Sequence, residues 1–240
     1  MKHTEINRNL ILTEPEKGVF YGTDALLLAH FMKNWKSGIG IEFGTGSGII
    51  PLLILSGGAK VRITGIEIQK EYCDAANKNA TINGFSDLFK TIHGDIKNIK
   101  SLFPSGLADA VFTNPPYLTT TCGKKNESKQ KYIAFHEECC GINDICESAS
   151  WCLKTGGKFY AVYRPERLAG LIFALRKNRI EPKKIRFVLP STEKPPTLVL
   201  IEAKKDANEG LIIQPNLYIY SDNTHTKYSK QMRDVYKEFE

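Results

Sequence analysis

The stretch GIEFGTGSG, at residues 40–48, decides the fold of this 240-residue chain. Its first four residues predict a short buried strand, and the apolar run at residues 49–56 predicts a helix directly after the glycines. A glycine-rich turn between a strand and a helix lets a ligand approach the backbone near the positive end of the helix. The spacing differs from the dinucleotide-binding fingerprint and from a phosphate-binding P-loop, so the turn alone does not name its ligand.

Strand and helix patterns alternate on both sides of this turn. An apolar helix from residue 25 to about residue 36, with Asp24 as its N-cap, precedes it, and a helix is predicted at residues 69–83. Strands are predicted at residues 40–43, 61–66, 89–93, 108–113, 158–163, 184–189 and 197–203, and residues 212–220 are expected to pair at an edge. This alternation favours an α/β fold, a Rossmann-like doubly wound, mostly parallel seven-stranded sheet with an antiparallel C-terminal edge strand.

Length and composition favour one domain. The chain is 42% hydrophobic and 25% charged, as in ordinary soluble proteins. We expect a single domain over residues 1–240, with an N-terminal arm and helix at 1–38, a core at 39–203 and a C-terminal extension at 204–240. No apolar run has the length of a membrane span, and the first residues lack the apolar segment of a secretory signal. These features predict a cytoplasmic protein that does not bind membranes.

Cysteine spacing argues against a metal centre. The six cysteines form no Cys-x-x-Cys pair, which predicts reduced thiols and no disulfide framework. The cluster Cys139, Cys140, Cys146 and Cys152 matches neither a zinc pattern nor a ferredoxin pattern. We expect no metal, with these cysteines acting as small hydrophobic residues.

The positive charge is concentrated in one segment. The net charge is +7, but residues 154–205 alone hold 13 Lys/Arg against 4 Asp/Glu. A confined basic excess is typical of a surface that faces a polyanion, although a solvated lysine-rich surface would have the same composition. The lysine-rich segment at residues 118–135 is expected to be a long loop beside it.

Polar residues follow successive predicted strands. Glu67 ends the strand at 61–66, Asp95 follows the strand at 89–93, and Asn114 follows the strand at 108–113. The C-terminal ends of parallel strands share one rim, where open α/β sheets bind ligands. A carboxylate at the position of Glu67 can accept hydrogen bonds from both ribose hydroxyls. Asp95 could bind an adenine amino group, or it could simply cap the turn that follows.

The segment Asn114-Pro115-Pro116-Tyr117 predicts a stiff loop after the strand at residues 108–113. Two prolines remove backbone donors and fix φ, so the strand ends there. The loop then presents an amide side chain, carbonyl groups without ladder partners and an aromatic ring. These groups can hold a planar amino group and stack on the ring that carries it.

This ordered set resembles the class I S-adenosylmethionine-dependent methyltransferases, and its Asn-Pro-Pro-Tyr segment is similar to that of amino-group methyltransferases. The short motifs FYGTD at 20–24, HE at 136–137, RPERL at 164–168 and PKKIR at 182–186 further resemble the bacterial tRNA(Val) adenine-N6 methyltransferase family. The likeness extends from about residue 8 to residue 220. It implies methylation of adenine N6 beside a tRNA anticodon, with S-adenosylmethionine as cofactor.

The resemblance also implies roles at the glycine turn. Gly44, Gly46 and Gly48 would wrap the methionine end of the cofactor, Glu67 would hold its ribose and Asp95 its adenine. Two further cofactor contacts are expected. Glu42 would orient the turn or face the cofactor's ammonium group, and a lip containing Thr23 and Asp24 would close over the site.

The catalytic group implied by the resemblance is the Asn-Pro-Pro-Tyr segment, with Asn114 also touching the cofactor. The Asn114 side-chain oxygen and the Pro115 carbonyl would each accept an N–H from the target amine, and Pro116 would keep the loop stiff. Tyr117 would stack on the target base. The basic segment at 154–205 and the loop at 118–135 would contact tRNA phosphates.

Three alternatives remain open on sequence alone. A protein-glutamine methyltransferase uses the same segment, although only about 35 residues precede the first core strand here. A DNA adenine-N6 methyltransferase usually carries a sizeable recognition region, for which little chain remains. A nucleic-acid-binding module that has lost catalysis would not need an intact Asn-Pro-Pro-Tyr segment.

Overall fold

The computed structural model describes residues 2–7, 10–15, 22–115 and 141–239. Eleven strands lie in these residues. They are β1 Lys2–Asn7, β2 Leu10–Glu14, β3 Ser37–Phe43, β4 Lys60–Glu67, β5 Phe89–His93, β6 Ala108–Thr113, β7 Leu153–Tyr163, β8 Ile180–Leu189, β9 Leu198–Lys205, β10 Ile212–Ile213 and β11 Leu217–Tyr218.

Nine of these strands form one sheet, in the order β10-β8-β9-β7-β6-β3-β4-β5, with β11 also beside β8. Strand β9 runs antiparallel to β7 and β8, and the other pairs of this sheet are parallel. The predicted α/β, mostly parallel fold is confirmed. Strands β3 to β9 are the seven expected ones, with the antiparallel strand inserted between β7 and β8. The expected pairing after residue 211 is observed, because β10 and β11 each pair with β8.

The helices in the described residues cover both faces of the sheet. They are α1 Thr23–Phe31, α2 Ile49–Ser56, α3 Lys70–Ile82, α4 Ile99–Leu102, α5 Ile142–Cys152, α6 Leu168–Lys177 and α7 Lys230–Glu238. Helices α1, α2, α3 and α7 pack in one apolar cluster, and α4, α5 and α6 pack in the other. The predicted helices at 49–56 and 69–83 are confirmed to within one residue.

The first helix differs from its prediction. It begins at Thr23 with Gly22 as its N-cap residue, and it ends at Phe31. Asp24 therefore lies inside the first turn and does not cap the helix as expected. A Cβ at Gly22 would stand 2.6 Å from the Asp24 Oδ1 atom, so the glycine leaves room for that carboxylate.

Two asparagine side chains, on α3 and just after it, hydrogen-bond to the backbone of β2 in the way that a neighbouring strand would. Asn79 accepts from the Thr13 amide at 2.8 Å and donates to the Thr13 carbonyl at 2.9 Å. Asn83, four residues on, makes the same pair of bonds with Ile11. An amide side chain offers one acceptor and two donors, so it can pair with a strand backbone as a neighbouring strand would. These contacts dock β2 against α3.

The C-terminal segment packs against the start of the chain. Met232, Val235 and Phe239 on and after α7 belong to the same apolar cluster as Leu27 and Leu28 of α1. The predicted C-terminal extension, residues 204–240, therefore packs against the helix of the predicted N-terminal segment, residues 1–38. Within the described residues, no helix is long and apolar enough to cross a membrane.

Candidate active site

Strand register places the predicted site residues on one rim. Phe43 at the end of β3 pairs with Ile66 of β4 and with Thr113 of β6. Glu67 of β4 pairs with His93 at the end of β5. The next residues along the chain therefore emerge together, and the Thr113 hydroxyl donates to the Phe43 carbonyl at 3.0 Å across the rim.

The three glycines of the turn have different roles. Gly44 and Gly46 have φ of +67° and +55°, and a Cβ on either would meet no atom within 4 Å. Their backbone therefore borders open space, as a ligand cradle requires. Gly48 instead faces the core, because a Cβ there would lie 2.6 Å from the Phe89 ring. This packing and its φ of +85° both favour glycine at this position.

Glu67 links the glycine turn to the start of α3. Its carboxylate accepts from the Gly46 amide and from the Gln69 amide, each at 2.9 Å. Burial raises the pKa of Glu67, while these backbone hydrogen bonds oppose the rise. Each carboxylate oxygen has a second lone pair, so the group can accept a further hydrogen bond from a ligand hydroxyl.

Glu42 is buried, with 1% of its surface exposed, behind the same turn. The Thr45 hydroxyl donates to its carboxylate, and Gly65 leaves room for the Thr45 side chain. Burial raises the pKa of Glu42 well above its usual range; the Thr45 bond lowers it, and the charge of Glu67 raises it further. Burial therefore favours the neutral form of this carboxyl group.

The Asn114 side chain is held by Asp24. The Asn114 amide nitrogen donates to the Asp24 Oδ2 atom at 3.1 Å, across 90 residues of sequence. The other Asp24 oxygen accepts from the Ala25 amide at 3.1 Å. A carboxylate only accepts, so the amide nitrogen of Asn114 must face Asp24 and its oxygen points the other way. Asp24 was expected at a cofactor lip; the structure places it against the predicted catalytic amide.

Asp95 lies at the rim as predicted and caps the short 3-10 turn Ile96–Asn98. Its carboxylate accepts from the Lys97 amide at 2.9 Å. The capping alternative is therefore observed, and the adenine contact stays a prediction.

Thr23 begins α1 beside Asp24, and Pro115 is buried after β6. Pro116 and Tyr117 lie outside the described residues, as do the loop at 118–135 and the motif at 136–137.

Two polar residues at this rim were missed by the sequence analysis. Glu14 is only 2% exposed, and the Ser47 hydroxyl of the glycine turn donates to it at 3.2 Å. Asn79 also donates to the Ser47 carbonyl at 2.8 Å. The N-terminal arm thus supports the turn from behind. The one available signal was the pair Asn79 and Asn83, since asparagine has a low helix propensity.

The cysteines and basic residues have structural partners in the described residues. Cys146 and Cys152 are buried in the apolar cluster around α5, and burial raises the pKa of Cys152 to about 12.

Many cations of the basic segment pair with the chain's own acids or carbonyls. These include Lys154, Lys158, Arg176, Arg179, Lys183, Lys184, Arg186 and Lys205. A basic RNA-facing surface at 154–205 stays a prediction.

A known family model matches most of this chain. The family model for the methyltransferase small domain covers residues 16–169, which include the glycine turn, Glu67, Asp95 and Asn114. The chain belongs to this family. The predicted class, a methyltransferase, is confirmed.

Two curated relatives share most of this methyltransferase's length. Both are named tRNA1(Val) (adenine(37)-N6)-methyltransferase. The relative from Porphyromonas gingivalis ATCC 33277 is 26% identical over 214 residues, which is 83% of each chain. The relative from Photobacterium profundum is 24% identical over 224 residues, 92% of this chain and 91% of that one.

Solved structures share the fold of this methyltransferase. A predicted O-methyltransferase from Agrobacterium tumefaciens matches with a TM-score of 0.72 and 19% identity, over 90% of this chain and 96% of that chain. A putative RNA methyltransferase from Pyrococcus horikoshii matches with a TM-score of 0.53 and 17% identity, over 77% and 83%. At these identities the similarity supports the fold alone.

The raised pKa of Glu42 leads to a stability prediction. When the pKa of a glutamate is higher in the folded protein than in the unfolded chain, that glutamate makes the protein less stable as pH rises. The loss runs from the pKa of the unfolded state through the pKa of the folded state. Glu42→Gln should therefore raise the melting temperature at neutral pH, by about 2–4 °C for each kcal/mol of desolvation relieved. Its advantage should shrink toward pH 4, which thermal unfolding across pH would measure.

Glu202→Gln is the matched control. Glu202 is also buried, but it pairs with Lys184 at 3.1 Å and Lys158 at 3.7 Å. Removing that carboxylate should lower the melting temperature, opposite to the expected effect at Glu42. A lower melting temperature for Glu42→Gln at neutral pH would contradict the account of Glu42.

Proposed function

We propose that this methyltransferase transfers a methyl group from S-adenosylmethionine to the exocyclic N6 of an adenine in tRNA. The observation that carries the proposal is the Asn114 amide held by Asp24 on the same rim as the glycine turn. That arrangement supports a role for Asn114 as an oriented amide acceptor beside the turn that would hold the cofactor. The target is supported by the names of the curated relatives.

The residues present fit the cofactor. The open backbone at Gly44 and Gly46 matches its methionine end, and the Glu67 carboxylate can accept from ribose hydroxyls. Glu42, which accepts a hydrogen bond from Thr45 of the turn, would orient the turn or face the cofactor's ammonium group. S-adenosylmethionine supplies an electrophilic methyl group bound to a sulfonium. The protein's share of the chemistry is to bind, orient and exclude water.

Asn114 would act on the target amine. The lone pair of an exocyclic amine is delocalised into its ring, so the amine is a weak nucleophile. The Asn114 oxygen and the Pro115 carbonyl would each accept one N–H, which favours a tetrahedral nitrogen with its lone pair free for attack. Such positioning and electrostatic stabilisation supply the rate without a strong general base, because the methylated amine becomes acidic.

Asp24 would act as a positioning residue. An unrestrained asparagine amide can rotate and offer either its nitrogen or its oxygen to a substrate. The bond from Asn114 to Asp24 would fix the nitrogen away from the target and turn the oxygen to the opposite side of the amide. This role explains Gly22, which makes room for the carboxylate.

Methyl transfer into three substrate pools tests the proposal. Radiolabelled S-adenosylmethionine is incubated with the protein and total tRNA, duplex DNA or a protein lysate, and the labelled tRNA is digested to nucleosides. We expect label as N6-methyladenosine from tRNA. Label only in DNA or only in protein would overturn the tRNA substrate and keep the methyltransferase. Labelled tRNA with methyl at another position would overturn the adenine N6 assignment.

Salt should weaken the binding of RNA much more than the binding of the cofactor. We expect RNA affinity to fall steeply between 50 and 200 mM salt, because phosphate contacts release counterions. Cofactor affinity should change little, since its proposed contacts are backbone atoms and buried carboxylates. Filter binding for RNA and calorimetry for the cofactor measure the two slopes. An equal salt dependence of RNA affinity and cofactor affinity would argue against phosphate contacts as the main source of RNA affinity.

A further inference from the structure

An aromatic stack lies in the C-terminal segment. The Tyr220 ring is stacked on His225, with centroids 4.8 Å apart and planes 17° apart. It is also stacked on Tyr228, at 5.4 Å and 13°. Tyr228 in turn contacts Tyr236 of α7 at 5.2 Å with a 50° tilt. None of these residues was singled out by the sequence analysis.

The stack is exposed to solvent. Tyr228 is 41% exposed, His225 is exposed and Tyr220 is half-buried. Anchoring of α7 does not require these rings, because Met232 and Val235 bury that helix in the core. Tyr220 is covered by both of its neighbours, so the outer rings of the stack, His225 and Tyr228, are the ones that solvent reaches.

The rings are held in place before any partner arrives. The Asp222 carboxylate accepts from the Thr226 amide at 3.1 Å and from the Lys227 amide at 2.9 Å, which closes the turn that carries His225. Tyr220 and Tyr228 are also joined as an isolated β-bridge. A preorganised surface loses little conformational entropy on binding, so its contacts count more toward affinity.

Hydrogen bonds connect the stack to the candidate active site. The Tyr236 hydroxyl contacts the Tyr228 hydroxyl at 3.5 Å and is hydrogen-bonded to Thr23. Thr23 precedes Asp24, which holds the amide of Asn114. The aromatic stack is therefore linked through Tyr236 and Thr23 to the part of the site that contains Asp24 and Asn114.

We propose that His225 and Tyr228, the exposed outer rings of this stack, form a stacking platform for unpaired RNA bases that flank the target adenine, with Tyr220 supporting both rings. The proposal rests on the proposed function, since it assigns a binding surface for the same substrate. Sequence-specific RNA recognition favours unstacked loop bases, which stack on Tyr and His rings. A target base that leaves its own stack also frees its neighbours for such contacts.

Local charge favours stacking as the main interaction here. Residues 220–239 contain four Lys/Arg and three Asp/Glu, so this segment carries little net charge. Contacts between bases and aromatic faces are worth about a 5- to 100-fold change in affinity for each base. Because stacking involves no counterion release, its share of affinity should hardly depend on salt.

Fluorescent RNA tests the platform. The probe is a short RNA hairpin with a loop adenine and 2-aminopurine at the adjacent loop position, whose fluorescence is quenched when it stacks. Wild-type protein should quench it on binding. Tyr228→Leu should lose the quenching and bind the hairpin about 5- to 100-fold more weakly, while Tyr228→Phe, which keeps the ring, should stay within about twofold. The loss should be similar at low and high salt.

His225→Ala provides a second variant at an exposed turn, where loss of the ring leaves the core intact. It should also weaken quenching and hairpin affinity, with cofactor affinity and melting temperature unchanged. If wild type methylates the hairpin and both variants bind and quench like wild type, the platform is wrong and the proposed function stands. If wild type neither binds nor methylates the hairpin or tRNA, both proposals are overturned.

Discussion

Asn114→Ala is expected to lower the rate of methyl transfer to tRNA by about 100- to 1000-fold, the range for removing one group that stabilises a transition state. The loss should appear in kcat, because the amide would act on the amine as its charge develops. RNA affinity should stay near the wild-type value. Single-turnover transfer of labelled methyl groups and filter binding measure the two effects separately.

Asp24→Asn is the matched variant for this prediction. An amide at position 24 could face the Asn114 side chain with either of its atoms, so the orientation of Asn114 would no longer be fixed. We expect kcat to fall by roughly tenfold or more with an unchanged KM for RNA, the pattern of a lost positioning effect. Wild-type turnover by Asn114→Ala would refute the mechanism. Wild-type turnover by Asp24→Asn alone would refute only the positioning role.

Asn79→Ala is expected to destabilise the protein by about 3–5 kcal/mol, a large effect for one substitution. The change leaves three buried backbone groups without their partner: the Thr13 amide, the Thr13 carbonyl and the Ser47 carbonyl. Each unsatisfied buried group costs about 1–3 kcal/mol. Denaturant unfolding measures the loss, and the melting temperature should fall by roughly 6–20 °C.

Asn83→Ala is the control for Asn79. Asn83 makes the same pair of bonds with Ile11 at a site open to water, which can replace them. Its loss should cost about 1 kcal/mol or less. Equal destabilisation by both variants would show that burial of the Asn79 amide is not the cause. Because Asn79 also holds the Ser47 carbonyl, only Asn79→Ala should weaken cofactor binding.

The rim of the site could be predicted because each of its parts is marked locally. Helix α2 follows from an apolar run that begins at the glycine turn, and β4 and β6 end where an acid or a proline pair interrupts them. Parallel strands then bring Glu67 and Asn114 to one edge. The start of α1 was wrong because Asp24 is a common capping residue, yet Gly22 has that position.

The sequence by itself determined the α/β fold, the glycine turn and the polar residues at the strand ends. Short-range periodicity and turn chemistry carry that information. Only the tertiary structure decided that Asp24 holds Asn114, that Asn79 pairs with Thr13, and that Tyr220 stacks on Tyr228. It also buried Glu42 and so raised its pKa. The first two contacts join residues 90 and 66 positions apart, and they and the burial of Glu42 arise from how elements pack on the sheet. The Tyr220 stack forms at an isolated bridge outside the sheet. No local pattern encodes that packing.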